Sequence, residues 1–139
     1  MRKTLFLATL ILAFGFWVNL HADIVKVGTK TIVNDSYSFK AEFVEKPKIG
    51  ETILRVTLWD KDGKQITDLD IIGSYDMASM AGQHSMASKI VSTSKSGFYL
   101  FPIRLVMRGK WEVTLIFKTK AANDAPATEL YIATIPVSI

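Results

Sequence analysis

Met77, Met80 and Met86 are three of the chain's five methionines, and His84 lies among them. Thioether sulfur is a soft, neutral donor and imidazole nitrogen a stronger one. Together they suit a soft monovalent metal, above all Cu(I), with Ag(I) as its chemical mimic. Ala78, Ser79, Ala81 and Ser85 fill the gaps with small side chains, and Gly82 permits a tight turn. If extended structure starts at His84, then His84 and Met86 project to one side, because alternate residues of a strand share a face. Met77 and Met80 are expected to close over the ion from the flexible part of the loop. Met107 is the only methionine left besides the initiator Met1, and it is the candidate fifth donor. Asp76 borders the loop, and capping a turn is a simpler role for it than acting as a harder ligand tuned to Cu(II). Trp111 would offer a cation–π neighbour, but its alternation with Val113 and Leu115 favours a place in the core.

The competing interpretation is plain packing, with the methionines as adaptable apolar fillers and His84 as a solvated loop residue. It would win for a lone Met or His. Here nearly every soft donor outside the N-terminal segment gathers in one stretch, and the cluster favours the metal. Catalysis is not expected. The chain has no cysteine, and His21 is the only histidine besides His84, so no nucleophile–base pair is visible. The acids at Asp60, Asp62, Asp68 and Asp70 sit at turns or on a solvated strand face, without a defensible pairing. Zinc–thiolate and thiol-redox chemistry, and lipid attachment at cysteine, are excluded with the thiols.

Delivery of this loop begins with residues 1–22. Arg2 and Lys3 precede an apolar run from Leu5 to Val18, and Asn19-Leu20-His21-Ala22 ends on a small residue. That is the layout of a secretory signal peptide cleaved after Ala22, with an uncleaved anchor as the alternative. The run is shorter than the roughly 20 residues a spanning helix needs. The expected domain is therefore 23–139, periplasmic or secreted, with no stable membrane insertion after cleavage. Without residues 1–22, 15 basic residues face 13 acids, a formal charge of +2. No basic run with interleaved aromatics appears, which excludes nucleic acid as a partner.

The remaining chain reads as strands. Ile24 to Val33 suggests one or two weak edge strands. Tyr37, Phe39, Ala41 and Phe43 alternate with Ser38, Lys40 and Glu42, and Leu54, Val56 and Leu58 alternate with Arg55 and Thr57, each a period of two. Asp62-Gly63 marks a hairpin turn. Ile66 to Tyr75 and Met86 to Thr93 read as single strands. Phe98 to Val106 is interrupted by Pro102, which points to an edge or a bulge. Trp111, Val113, Leu115 and Phe117 alternate again, and Glu129 to Ile139 closes the set. No helical periodicity appears after the leader, so the fold class is all-β, an immunoglobulin-like β-sandwich of about seven strands. Counting reversals puts the 107–110 turn and Pro47–Gly50 at the same end as the methionine loop, and Asp60–Lys64 at the other.

Several landmarks support a family comparison. Pro47-Lys48-Ile49-Gly50-Glu51 precedes a strand, and Asp62-Gly63-Lys64 occupies the next turn. The Met-rich loop at 77–86 follows, then Ser96-Gly97-Phe98-Tyr99 and Met107-Arg108-Gly109-Lys110-Trp111. In this order Ser36 to Lys118 resembles the YtkA-like domain, a small exported immunoglobulin-like module related in pattern to FixH proteins. The chain is also similar to small secreted copper-resistance determinant proteins. The resemblance implies copper or heavy-metal handling in the periplasm, beside an efflux-pump adaptor or an outer-membrane component. Family members often carry proline after the first loop methionine; Ala78 stands there in this chain, which implies a less rigid loop. Two functions follow as expectations. One is a copper-binding protein that holds Cu(I) and passes it to an efflux system. The other is a metal-free interaction module that docks on an efflux or assembly complex through the methionine loop.

Overall fold

A computed structural model describes residues 21–82 and 87–139. Eleven strands lie among them: β1 (Ala22–Ile24), β2 (Thr31–Ile32), β3 (Tyr37–Phe43), β4 (Gly50–Asp60), β5 (Gln65–Ile66), β6 (Leu69–Met77), β7 (Lys89–Ile90), β8 (Ser92–Thr93), β9 (Tyr99–Leu105), β10 (Lys110–Thr119) and β11 (Glu129–Ser138). One sheet has the order β1-β11-β10-β6-β7. The other runs β2-β3-β4-β9-β8, with β5 also on β4. Setting β3-β4-β9-β8 against β11-β10-β6-β7 gives the strand arrangement of an immunoglobulin-like sandwich. The weak strands β1 and β2 lie at the sheet edges, as their mixed composition predicts.

The count exceeds the expected seven because the edge segment supplies both β1 and β2 and two further segments change sheets partway. Ile66 to Tyr75 divides at Thr67-Asp68: β5 pairs with β4 in one sheet and β6 with β10 in the other. Met86 to Thr93 divides at Val91, where β7 pairs with β6 and β8 with β9. Val91 is buried at this crossing and donates its N–H to Ile71 O at 2.8 Å.

The two inner faces build the core. Along β10, Trp111, Val113, Leu115 and Phe117 are all buried, flanked by Val137, Ile135 and Ala133 on β11 and by Met77, Tyr75, Gly73 and Ile71 on β6. Phe39, Ala41, Leu54, Val56, Leu58, Phe101 and Ile103 face them from the other sheet. Burying side chains of this size is worth about 1.5–3 kcal/mol each. Phe39 and Phe117 meet across the layers with ring centroids 4.5 Å apart. Gly73 opens a socket for Phe101: a Cβ there would sit 2.6 Å from Phe101 Cε1.

Two tyrosine hydroxyls tie one layer to the other. Tyr99 of β9 donates to Leu69 O of β6 at 2.6 Å, and Tyr75 of β6 accepts from Arg104 N of β9 at 2.9 Å. Burial, chiefly, pushes the Tyr99 phenol up to about 12. The second tie also explains Pro102. Alternate residues present their N–H groups to the same side of a strand, so residue 102, like Arg104, faces away from β4. β8 reaches no further along β9 than Leu100. Proline thus occupies an edge position with no ladder bond to lose.

Candidate metal centre

The alternation of β6 runs unbroken through its last residue, putting Tyr75 and Met77 inward and Asp76 outward. Met77 pairs with Trp111 across the ladder to β10. The loop therefore begins at Ala78 and not at Met77. Met77 is 4 % exposed and closes the end of the core, a correction to the expectation that it belongs to the flexible part. Its methyl group lies directly under Gly109, where a Cβ would come within 2.6 Å of Met77 Cε. Gly109 has φ +144°, a backbone conformation that also favours glycine.

After Met77 the chain makes a single 3-10 turn, Ala78–Met80, which packs beside β10. Met80 is half-buried against the core cluster. Asp76 fixes both ends of this short piece: Oδ1 accepts from Met77 N at 2.8 Å and Oδ2 from Gly82 N at 3.0 Å. The carboxylate has the turn-capping role that its position suggests, and the positive φ of Gly82 (+83°) completes the bend.

Met107 arrives from the turn between β9 and β10. The indole Nε1 of buried Trp111 donates to Met107 O at 3.1 Å, which pins the backbone while leaving the residue 37 % exposed. Gly109 adds a two-way backbone pair with Ile139, N–H to O at 3.1 Å in each direction. Met77 thus pairs with Trp111 in the ladder, Met107 meets its indole through the backbone carbonyl, and the turn carrying Met80, the third sequence-derived donor, packs beside the same strand. The other two, His84 and Met86, lie outside the described residues.

Counting reversals located this end well. The pairs Met77–Trp111 and Gly50–Leu105 bring the methionine segment, the 107–110 turn and the 47–50 turn to one tip, while the Asp60–Lys64 turn lies at the far end of β4. Sequence reasoning missed the Gly109–Met77 contact and the tie from the Trp111 indole. The Gly109 contact was within reach, since a glycine two residues before an inward tryptophan marks a close backbone approach. Among the described residues, no three His, Asp or Glu side chains converge.

The fold and tip define an immunoglobulin-like β-sandwich module with a methionine-bearing end. A family model described as YtkA-like matches residues 23–116, from β1 into β10 and across the whole methionine segment. The chain belongs to the YtkA-like family. No curated protein and no solved structure is matched by it.

Proposed function

We propose that this YtkA-like protein is a periplasmic copper-binding protein of copper homeostasis, which holds Cu(I) at the tip through thioethers and His84 and passes it to an efflux system. What supports this reading is that Met77, Met80 and Met107 come to one tip of the sandwich: Met77 pairs with Trp111 in the ladder, the turn carrying Met80 packs beside β10, and the Trp111 indole holds the Met107 carbonyl. Neutral sulfur donors there suit a soft ion and would release it to a stronger site. In this reading Met80 and Met107 are the accessible thioethers, His84 and Met86 complete the donor set, and Met77 forms the floor.

The test leaves the core intact. A Met80→Leu/His84→Ala/Met107→Leu variant is compared with the unaltered protein by Cu(I) titration against a competing chelator. The expected loss of affinity is about 100-fold, equivalent to about 2.8 kcal/mol. Equal, weak binding by both proteins would end the proposal.

The exposed Val106 and Met107 favour a second reading, in which the tip docks on an efflux or assembly complex without metal. Returning the triple variant to a copper-sensitive deletion strain separates the two. Rescue supports docking, and failure of a folded variant to rescue supports metal binding.

A further inference from the structure

Beside the 107–110 turn, at the same tip, the 44–49 connection between β3 and β4 bounds a depression of about 440 Å³. Lys46, Lys48 and Arg108 stand around it, and Pro47, Ile49 and Ile139 supply apolar surface. No aspartate or glutamate side chain lines it. Among the described residues, none of the three cations makes an ion pair, although the outer face of the same sheet pairs Lys40 and Arg55 with Glu42 at 3.1 and 3.3 Å. Ile49 is 52 % exposed and Val106, next to the turn, 51 %. Large aliphatic side chains are thus in water beside three cations that form no ion pair, with Glu45 and Glu51 lining only the adjoining hollow that Lys46 and Lys48 share. The feature is concave, and its rim is held from both sides: Val44 N donates to Ile53 O at 3.0 Å, and Gly109 and Ile139 exchange backbone bonds at 3.1 Å.

We infer that this depression is a docking site for an acidic segment of a partner protein, one carrying carboxylates beside an aliphatic side chain. Carboxylates would meet Lys46, Lys48 and Arg108, with Arg108 able to engage one of them in two parallel hydrogen bonds. The aliphatic side chain would cover Ile49 and Pro47. Charge complementarity of this kind speeds encounter and fixes orientation. It would bring the partner's chain up against Met107, the exposed thioether of the tip. The site uses none of the proposed metal donors and does not depend on metal binding.

The experiment measures fluorescence anisotropy of a labelled peptide alternating Glu and Leu, with its Gln/Leu counterpart as control. Both are titrated with the intact protein and with Lys46→Glu/Lys48→Glu/Arg108→Glu. A second variant, Lys61→Glu/Lys64→Glu/Lys95→Glu, makes the same change of net charge away from the tip. The acidic peptide should bind the intact protein and the distal variant alike, and the tip variant at least about tenfold more weakly, a change of about 1.4 kcal/mol. The Gln/Leu peptide should bind none of them comparably. Equal weakening by both variants would mean that net charge alone attracts the peptide, and would overturn the inference. So would no binding to the intact protein, or capture by phosphatidylglycerol vesicles in place of the peptide. Far-UV circular dichroism confirms that each variant is folded. The Met80→Leu/His84→Ala/Met107→Leu variant should bind the peptide normally, so failure of the copper proposal and failure of this one are told apart.

Discussion

Gly109 and Met77 compete for one volume. Adding a single carbon in Gly109→Ala would put it 2.6 Å from Met77 Cε, at a backbone φ of +144° that alanine rarely adopts. Overpacking and strain together should cost about 1–3 kcal/mol. Met77→Ala in the same background should restore part of that loss by making room, whereas the two changes would simply add if the contact were unimportant. Urea unfolding midpoints of the single and double variants decide between these outcomes. Tyr99 offers a second measurement at this scale. Removing its hydroxyl in Tyr99→Phe leaves the buried Leu69 carbonyl without that donor, at a cost of about 1–3 kcal/mol. The phenol also sets a pH dependence. Its pKa is pushed from the ordinary 10.0 up to about 12 by burial, and that of Tyr131 moves to about 12 by burial and its hydrogen bond with Asp23. The folded protein keeps these protons where the unfolded chain sheds them. The stabilisation is complete below pH 10 and is lost as pH rises through the folded value. Unfolding midpoints should therefore fall between about pH 10 and about pH 12, and less steeply in Tyr99→Phe. An equal slope in that variant would remove Tyr99 as a cause.

At the scale of elements, the sheets are joined by shape as well as by hydrogen bonds. Gly73 on β6 receives the Phe101 ring from β9, three of whose atoms lie 2.6–2.9 Å from where a Cβ would sit. Gly73→Ala should destabilise by about 1–3 kcal/mol, and Gly73→Ala/Phe101→Leu should recover most of it in thermal unfolding. No recovery would mean that the socket is not what Gly73 provides. The strands on either side of this contact were legible in the sequence to different degrees. β3, β4 and β10 show their buried faces directly, because each stays in one sheet and keeps strict alternation. β5–β6 and β7–β8 do not. A strand that crosses from one sheet to the other at Thr67-Asp68 or at Val91 keeps an extended backbone and an apolar pattern, so nothing local marks the change of partner. Met77 was misplaced for a related reason. The run of small residues after it resembles a loop, and only the pairing of Asp76 and Met77 with Glu112 and Trp111 carries the strand two residues further. Asp76, by contrast, took the role its type and position suggest.

For the molecule as a whole, the two tyrosine ties, Tyr99 to Leu69 and Tyr75 to Arg104, join the layers at different levels of the sandwich. The tip beyond Tyr75 holds a buried indole, the segments that carry Met77, Met80 and Met107, and a basic depression on the neighbouring loops. Reversal counting found this tip because register propagates along hairpins. It gave no donor geometry, since that depends on how each side chain packs: Met77 turned inward under Gly109 while Met107 stayed at the surface. The proposed copper role requires that sulfur from this tip bind Cu(I). The most direct measurement is X-ray absorption at the copper K-edge of the intact protein loaded with one equivalent of Cu(I). The spectrum should be dominated by sulfur scatterers with a single imidazole nitrogen, and in Met80→Leu/His84→Ala/Met107→Leu the nitrogen should disappear and the sulfur contribution should fall. A first coordination shell of nitrogen and oxygen alone would contradict it.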